Sequence, residues 1–241
     1  MSKISELRAE LRAVATPQKA KASAWFFKSG PGQYGEGDKF LGVTLPEQRV
    51  IAKKYKDLAL KDVEKLIMSP LHEERLTGLI ILVGQYKNGD EAQRREIYDF
   101  YIAHTNCVNN WDLVDLSAEH IVGPWLDGRP EKMQVLQKLA DSDWLWDRRI
   151  AMIATFDYIY KGRADEALQI AELLINDKHD LIQKAVGWML REIGKRVDKQ
   201  VLTRFLDKHA TTMPRTSLRY AIEHFDPGLR THYMGLAKTN R

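Results

Sequence analysis

Gln183-Lys184-Ala185-Val186-Gly187-Trp188-Met189-Leu190-Arg191-Glu192-Ile193-Gly194-Lys195 has two faces at helical spacing. Ile182, Ala185, Val186, Met189, Leu190 and Ile193 fall on one arc, while Lys184, Trp188, Arg191 and Lys195 follow one another at intervals of four, three and four on another. Strand alternation would scatter both sets, so the stretch is a helix with an apolar face and a basic stripe. Trp188 sits in the stripe near its border. It either covers the edge of the core or offers an indole among cations that neutralise phosphates.

The same kind of residue returns at a fixed distance. Lys184 lies 35 residues after Arg149 and 35 before Arg219, and Arg75 lies 74 before Arg149, which is two steps of 37 with Asp112 between them. A period of 35 to 37 with two helices per step suggests stacked helix pairs, in which equivalent positions form a row. If that row lines the inner helices, it makes a concave basic groove interrupted at Asp112 and Asp115; if not, it is a solvated face.

The rest of the chain fits an all-α reading. Ile4, Leu7, Leu11 and Val14 repeat at helical spacing, Pro17 and Pro46 open helices, and Leu60 to Met68 reads as another. Further helices are expected at about 72–86, 90–103, 109–122, 130–140, 144–160, 164–175, 179–196, 198–209, 214–224 and 228–237. No linker divides the 241 residues, so one helical-repeat domain is expected over 1–241. Gly30, Gly32 and Gly35 form a formal G-x-G-x-x-G, but a helix precedes them and Pro31 interrupts them, which excludes a dinucleotide fingerprint.

At the centre is Asn109-Asn110-Trp111-Asp112-Leu113-Val114-Asp115-Leu116-Ser117-Ala118-Glu119-His120. On a helix Trp111 and Asp115 share a face, with Glu119 one turn on, while Leu113, Val114, Leu116 and Ile121 hold the helix from other sides. An indole beside a carboxylate suits a cation. Asp112 and Asp115 are also what an ordinary acidic first turn supplies.

Composition sets limits. Lysine and arginine number 37 against 33 acidic residues, a net charge of +4, which permits nucleic-acid binding without requiring it. The single cysteine, Cys107, excludes an internal disulfide and fits a reducing cytoplasm. The N-terminal residues are too polar for a signal peptide, and no apolar run is long enough to span a bilayer. The seven histidines form no metal pattern, and P-loop, nucleophile-elbow and H-E-x-x-H motifs are absent.

Five segments together carry a resemblance: Phe40-Leu41-Gly42-Val43 with Pro46 and Arg49, Trp111 to Asp115, Trp146 to Ile150, Gly187 to Glu192, and Pro214 to Glu223. In order and spacing the chain resembles the AlkD-like family of DNA alkylation repair enzymes from about Phe27 to Tyr233. The resemblance implies a right-handed superhelical solenoid of HEAT-like antiparallel helix pairs with a concave basic groove. It also implies a DNA glycosylase that releases cationic N3- or N7-alkylated purines from duplex DNA with the lesion left in the duplex. Asp115 would be the catalytic carboxylate, Trp111 and Trp188 the aromatic walls, and Arg149 the DNA-binding arginine, with Arg148 beside it as the alternative. Lys184, Arg191, Lys195, Arg215 and Arg219 complete the expected DNA-binding set. No cofactor or metal is implied. The expected setting is a monomer in the bacterial cytoplasm, acting at the nucleoid. The Gly30 to Gly37 loop departs from the family pattern and has no assigned role. Other readings are a noncatalytic DNA-binding repeat protein and a protein-interaction scaffold.

Overall fold

A computed structural model describes residues 2–236, and among them the chain is helical, with a lone parallel bridge between Lys39 and Leu71 and no strand. It divides into two compact units, 1–121 and 122–241. The first contains α1 (Lys3–Val14), α2 (Pro17–Phe26), α3 (Leu45–Lys54), α4 (Leu60–Ile67), α5 (His72–Asn88), α6 (Glu91–Ala103) and the start of α7 (Trp111–Leu126). The second runs through α8 (Lys132–Ala140), α9 (Leu145–Ala154), α10 (Phe156–Tyr160), α11 (Asp165–Leu174), α12 (Asp180–Arg196), α13 (Lys199–His209), α14 (Arg215–Ala221) and α15 (Pro227–Leu236). A succession of packed helix pairs without strands is consistent with a helical-repeat solenoid.

Local chemistry sets the ends of these helices. Ser2, Thr16 and Asp90 cap α1, α2 and α6 through their side chains, and Glu47 completes a capping box with Thr44 at α3. The helix expected at 144–160 is two helices, because Thr155 turns both its amide (3.3 Å) and its hydroxyl (2.7 Å) back to the Met152 carbonyl and so interrupts the ladder. By contrast α7 runs past its expected end and takes Pro124 inside it.

In the first unit α5 packs against α3, α4 and α6 around Leu66, Leu79 and Leu82, none of them exposed. Gly42, in the segment after Phe40, shows why a side chain is excluded there. Its φ of 84° is left-handed, and an added Cβ would lie 2.2 Å from the Thr16 carbonyl oxygen. In the second unit α12 is the hub, touching α9, α10, α11, α13 and α14. Its apolar arc, Ile182 through Ile193, is buried completely, as the spacing requires. Each of its side chains larger than Ala185 contributes about 1.5–3 kcal/mol by leaving water. Gly187 lets α14 approach so closely that a Cβ would meet the Ser217 carbonyl oxygen at 2.4 Å.

Candidate active site

Asn110, fully buried, starts α7: its carbonyl accepts from the Val114 amide, and its side-chain oxygen accepts from the Trp111 amide at 2.8 Å. Trp111 and Asp115 then emerge one turn apart and both line a cavity of about 690 Å³ in the first unit. Its aromatic wall is Phe27, Phe40 and Trp111; Leu76, Ile80, Val83 and Leu116 supply apolar surface, and Glu119 and His120 continue the α7 side. Phe27 is the centre of the aromatic wall. Its ring lies 5.4 Å from Trp111 and stacks on Phe40 at 5.5 Å, with planes 8° apart. Trp111 and Asp115 therefore share a surface, as their spacing predicts.

Beneath that wall is a set of charges that the sequence reading missed. His72, at the start of α5 and 1% exposed, has one ring nitrogen 2.8 Å from Asp112 and the other 3.1 Å from Asp38. Burial alone would push its pKa down, but Asp112 and Asp38 on either side overcome this and hold it up at about 9, so the ring is an imidazolium at neutral pH. Asp38 also accepts from Arg75 at 2.5 Å and from the Asn110 amide at 3.2 Å. Burial pushes its carboxyl up, and His72, Arg75 and Asn110 outweigh that and leave it below the usual range. A signal was available: Asp38, Arg75 and Asp112 are spaced by 37 and 37, the repeat period, with alternating charge.

Two further titratable groups lie nearby. His120 faces the cavity with its pKa lowered to about 4, first by burial and then by Lys87, so it is neutral at physiological pH. Cys107, in a short turn over Thr105–Cys107, is half-buried, and burial pushes its thiol up against the opposing pull of Arg75.

The remaining expected residues belong to the second unit. Arg149 on α9 is 5% exposed and donates to the Leu181 carbonyl at 2.6 Å. Its neighbour Arg148 pairs with Asp177 at 2.7 Å and donates to the carbonyls of Ser142 and Asp143. On α12, Lys184 pairs with Asp180, Arg191 with Glu223 and Glu192, and Lys195 is exposed. Trp188 is partly exposed and meets Phe156 edge-on at 5.6 Å. Arg215 donates to the Met234 carbonyl, and Arg219 is exposed. The stripe on α12 is thus at the surface. Arg75, like Arg149, is buried; it is bonded to Asp38 and the Ser69 carbonyl, so in the first unit the periodic cation is an internal one.

Counting from helix starts sharpens the row. Arg149, Lys184 and Arg219 are each the fifth residue of α9, α12 and α14, and the fifth residue of α7 is Asp115, not Asp112. Asp115 is the acidic member of the register.

Residues 7–225 match the family model for the DNA alkylation repair enzyme. The chain belongs to this family. The DNA alkylation repair fold is also seen in a solved structure, a predicted DNA alkylation repair enzyme from Enterococcus faecalis. It is similar at a TM-score of 0.68 and 15% identity over 88% of this chain and 97% of that one. A search of curated proteins finds no match. For a DNA alkylation repair enzyme the chemistry at hand is a carboxylate and aromatic faces on one cavity. Among the described residues no group of three or more His, Cys, Asp and Glu is placed to hold a metal, and no helix is long and apolar enough to cross a membrane.

Proposed function

We propose that this DNA alkylation repair enzyme is a DNA glycosylase that hydrolyses the N-glycosidic bond of purines alkylated at N3 or N7 in duplex DNA. The observation that carries the proposal is the pairing of Asp115 with Trp111 on the wall of one cavity. An N3- or N7-alkylated purine is cationic and departs as a neutral molecule, so its leaving group needs little protonation. The sugar develops positive charge as the bond breaks, as in other glycoside hydrolyses. Asp115 stabilises that charge and orients the attacking water, and Trp111 presents an electron-rich face to the cationic nucleotide. One carboxylate is sufficient for this reaction.

DNA is held by the second unit in this proposal: Trp188 as an aromatic contact to the substrate, and Lys184, Arg191, Lys195, Arg215 and Arg219 with Arg149 or Arg148 as the basic contacts. The enzyme acts as a monomer on the lesion within the duplex, in the bacterial cytoplasm. The test is excision from duplex DNA containing 7-methylguanine or 3-methyladenine. Wild type should release the base, and Asp115→Asn should bind the same DNA without releasing it. Full activity in Asp115→Asn removes the assignment, and DNA binding without excision by wild type leaves a noncatalytic DNA-binding protein.

A further inference from the structure

We propose that His72 is a positioning residue for the excision reaction: its buried ring ties the end of the glycine-rich loop, at Asp38, to the first turn of α7, at Asp112, and thereby orients Trp111 and Asp115. The inference rests on the glycosylase reading and gives the Gly30 to Gly37 loop a role.

Both residues that flank Trp111 in sequence are held by this one network. Asp112 receives His72 at 2.8 Å, and Asn110 donates to Asp38 at 3.2 Å while accepting from the Trp111 amide. The ring cannot swing to a new partner. It packs against Phe27 at 4.7 Å and stacks on Phe40 at 4.9 Å, and it is itself almost closed to solvent. The loop is fixed as firmly on its other side, where Gly35 lies so close to the Phe27 carbonyl oxygen that a Cβ would come within 2.4 Å of it.

An imidazolium has two N–H donors and serves both carboxylates, whereas a neutral imidazole has one and must release either Asp38 or Asp112. The charged groups around the ring are Asp38 from the loop, Asp112 from α7 and Arg75 from its own helix. Glu73 is turned away onto the amides of Leu41, Gly42 and Val43. Releasing Asp112 frees the first turn of α7, three residues before Asp115. Releasing Asp38 frees the loop that holds Asn110.

The experiment is a single-turnover excision profile on duplex DNA with 7-methylguanine from pH 7 to 10, with the uncatalysed rate subtracted and folding followed by circular dichroism. The wild-type rate should fall with a midpoint near pH 9, where His72 loses its proton. His72→Gln should be roughly ten- to hundred-fold slower at pH 7, with KM little changed and no alkaline fall. A flat wild-type profile to pH 10, or a Gln variant that keeps both the rate and the alkaline fall, overturns the proposal. If the variant does not fold, the wild-type profile still decides. If wild type excises nothing, the glycosylase reading fails on its own. The near-UV dichroism of Trp111, taken as wild type minus Trp111→Phe, then tests the clamp: a transition near pH 9 supports it, and a constant signal overturns it.

Discussion

In the first unit His72, Asp38, Arg75 and Asp112 lie beneath an aromatic wall and are bonded to one another, whereas on α12 of the second unit Lys184 and Arg191 meet their carboxylates at the surface. Arg75 and Lys184 both belong to the periodic row, and water makes them different. A surface pair between mobile side chains is screened and adds little. A buried group that loses its partner is left as an uncompensated charge. The first unit therefore places its two chemical groups, Trp111 and Asp115, over a support that tolerates little change. On α12 of the second unit, Lys184 and Lys195 stay at the surface, where an anion can compete for them, while Arg149 on α9 is buried.

The largest effect should come from Asp115→Asn, which removes the charge proposed to meet the developing cation. A loss of about 10²–10³-fold in the excision rate constant, with DNA affinity kept, is expected. Next is His72→Phe, which keeps the stacking on Phe27 and Phe40 but leaves Asp38 and Asp112 without the imidazolium. It should cost about 3–5 kcal/mol in urea unfolding.

The same group makes stability depend on pH. Its folded pKa, about 9, lies above the ordinary 6.5, so its contribution is complete below 6.5 and is lost as pH rises through 9. The shift corresponds to about 3 kcal/mol. Urea midpoints measured between pH 6 and 9.5 should fall accordingly, and a constant midpoint would contradict the contrast drawn between the units.

Gly187→Ala tests the packing of the second unit, where the new Cβ would press on the Ser217 carbonyl and the Tyr220 side chain. A loss of about 1–3 kcal/mol is expected by thermal denaturation. The smallest effect belongs to Lys184→Ala, which should change stability by no more than about 0.5 kcal/mol. Its signature should be in binding: the slope of log K against log salt should become shallower by about 0.9 if Lys184 meets a phosphate. An unchanged slope would show that its charge is spent on Asp180.

Much of this contrast is written in the sequence. The apolar arc of α12 predicts the buried arc observed, because helical period alone decides which side chains face inward. Trp111 and Asp115 share a cavity wall for the same reason. Other features depend on contacts between distant positions. Nothing local to His72 announces that it sits between two carboxylates, since Asp38 and Asp112 are 34 and 40 residues away. Periodicity runs through Thr155 as though the helix continued, and the amide and hydroxyl that both turn to the Met152 carbonyl explain the break. The row read as a groove of cations contains Arg75, whose burial follows from Asp38 coming to face it.

An enzyme of alkylation repair works among the electrophiles that create its substrates, and thiolates compete with purine nitrogens for such reagents. Here the single cysteine is half-buried with its thiol pKa raised, so Cys107 is held in the protonated, weakly nucleophilic form. Cys107 is thereby a weaker target for such agents than an exposed thiol of ordinary pKa.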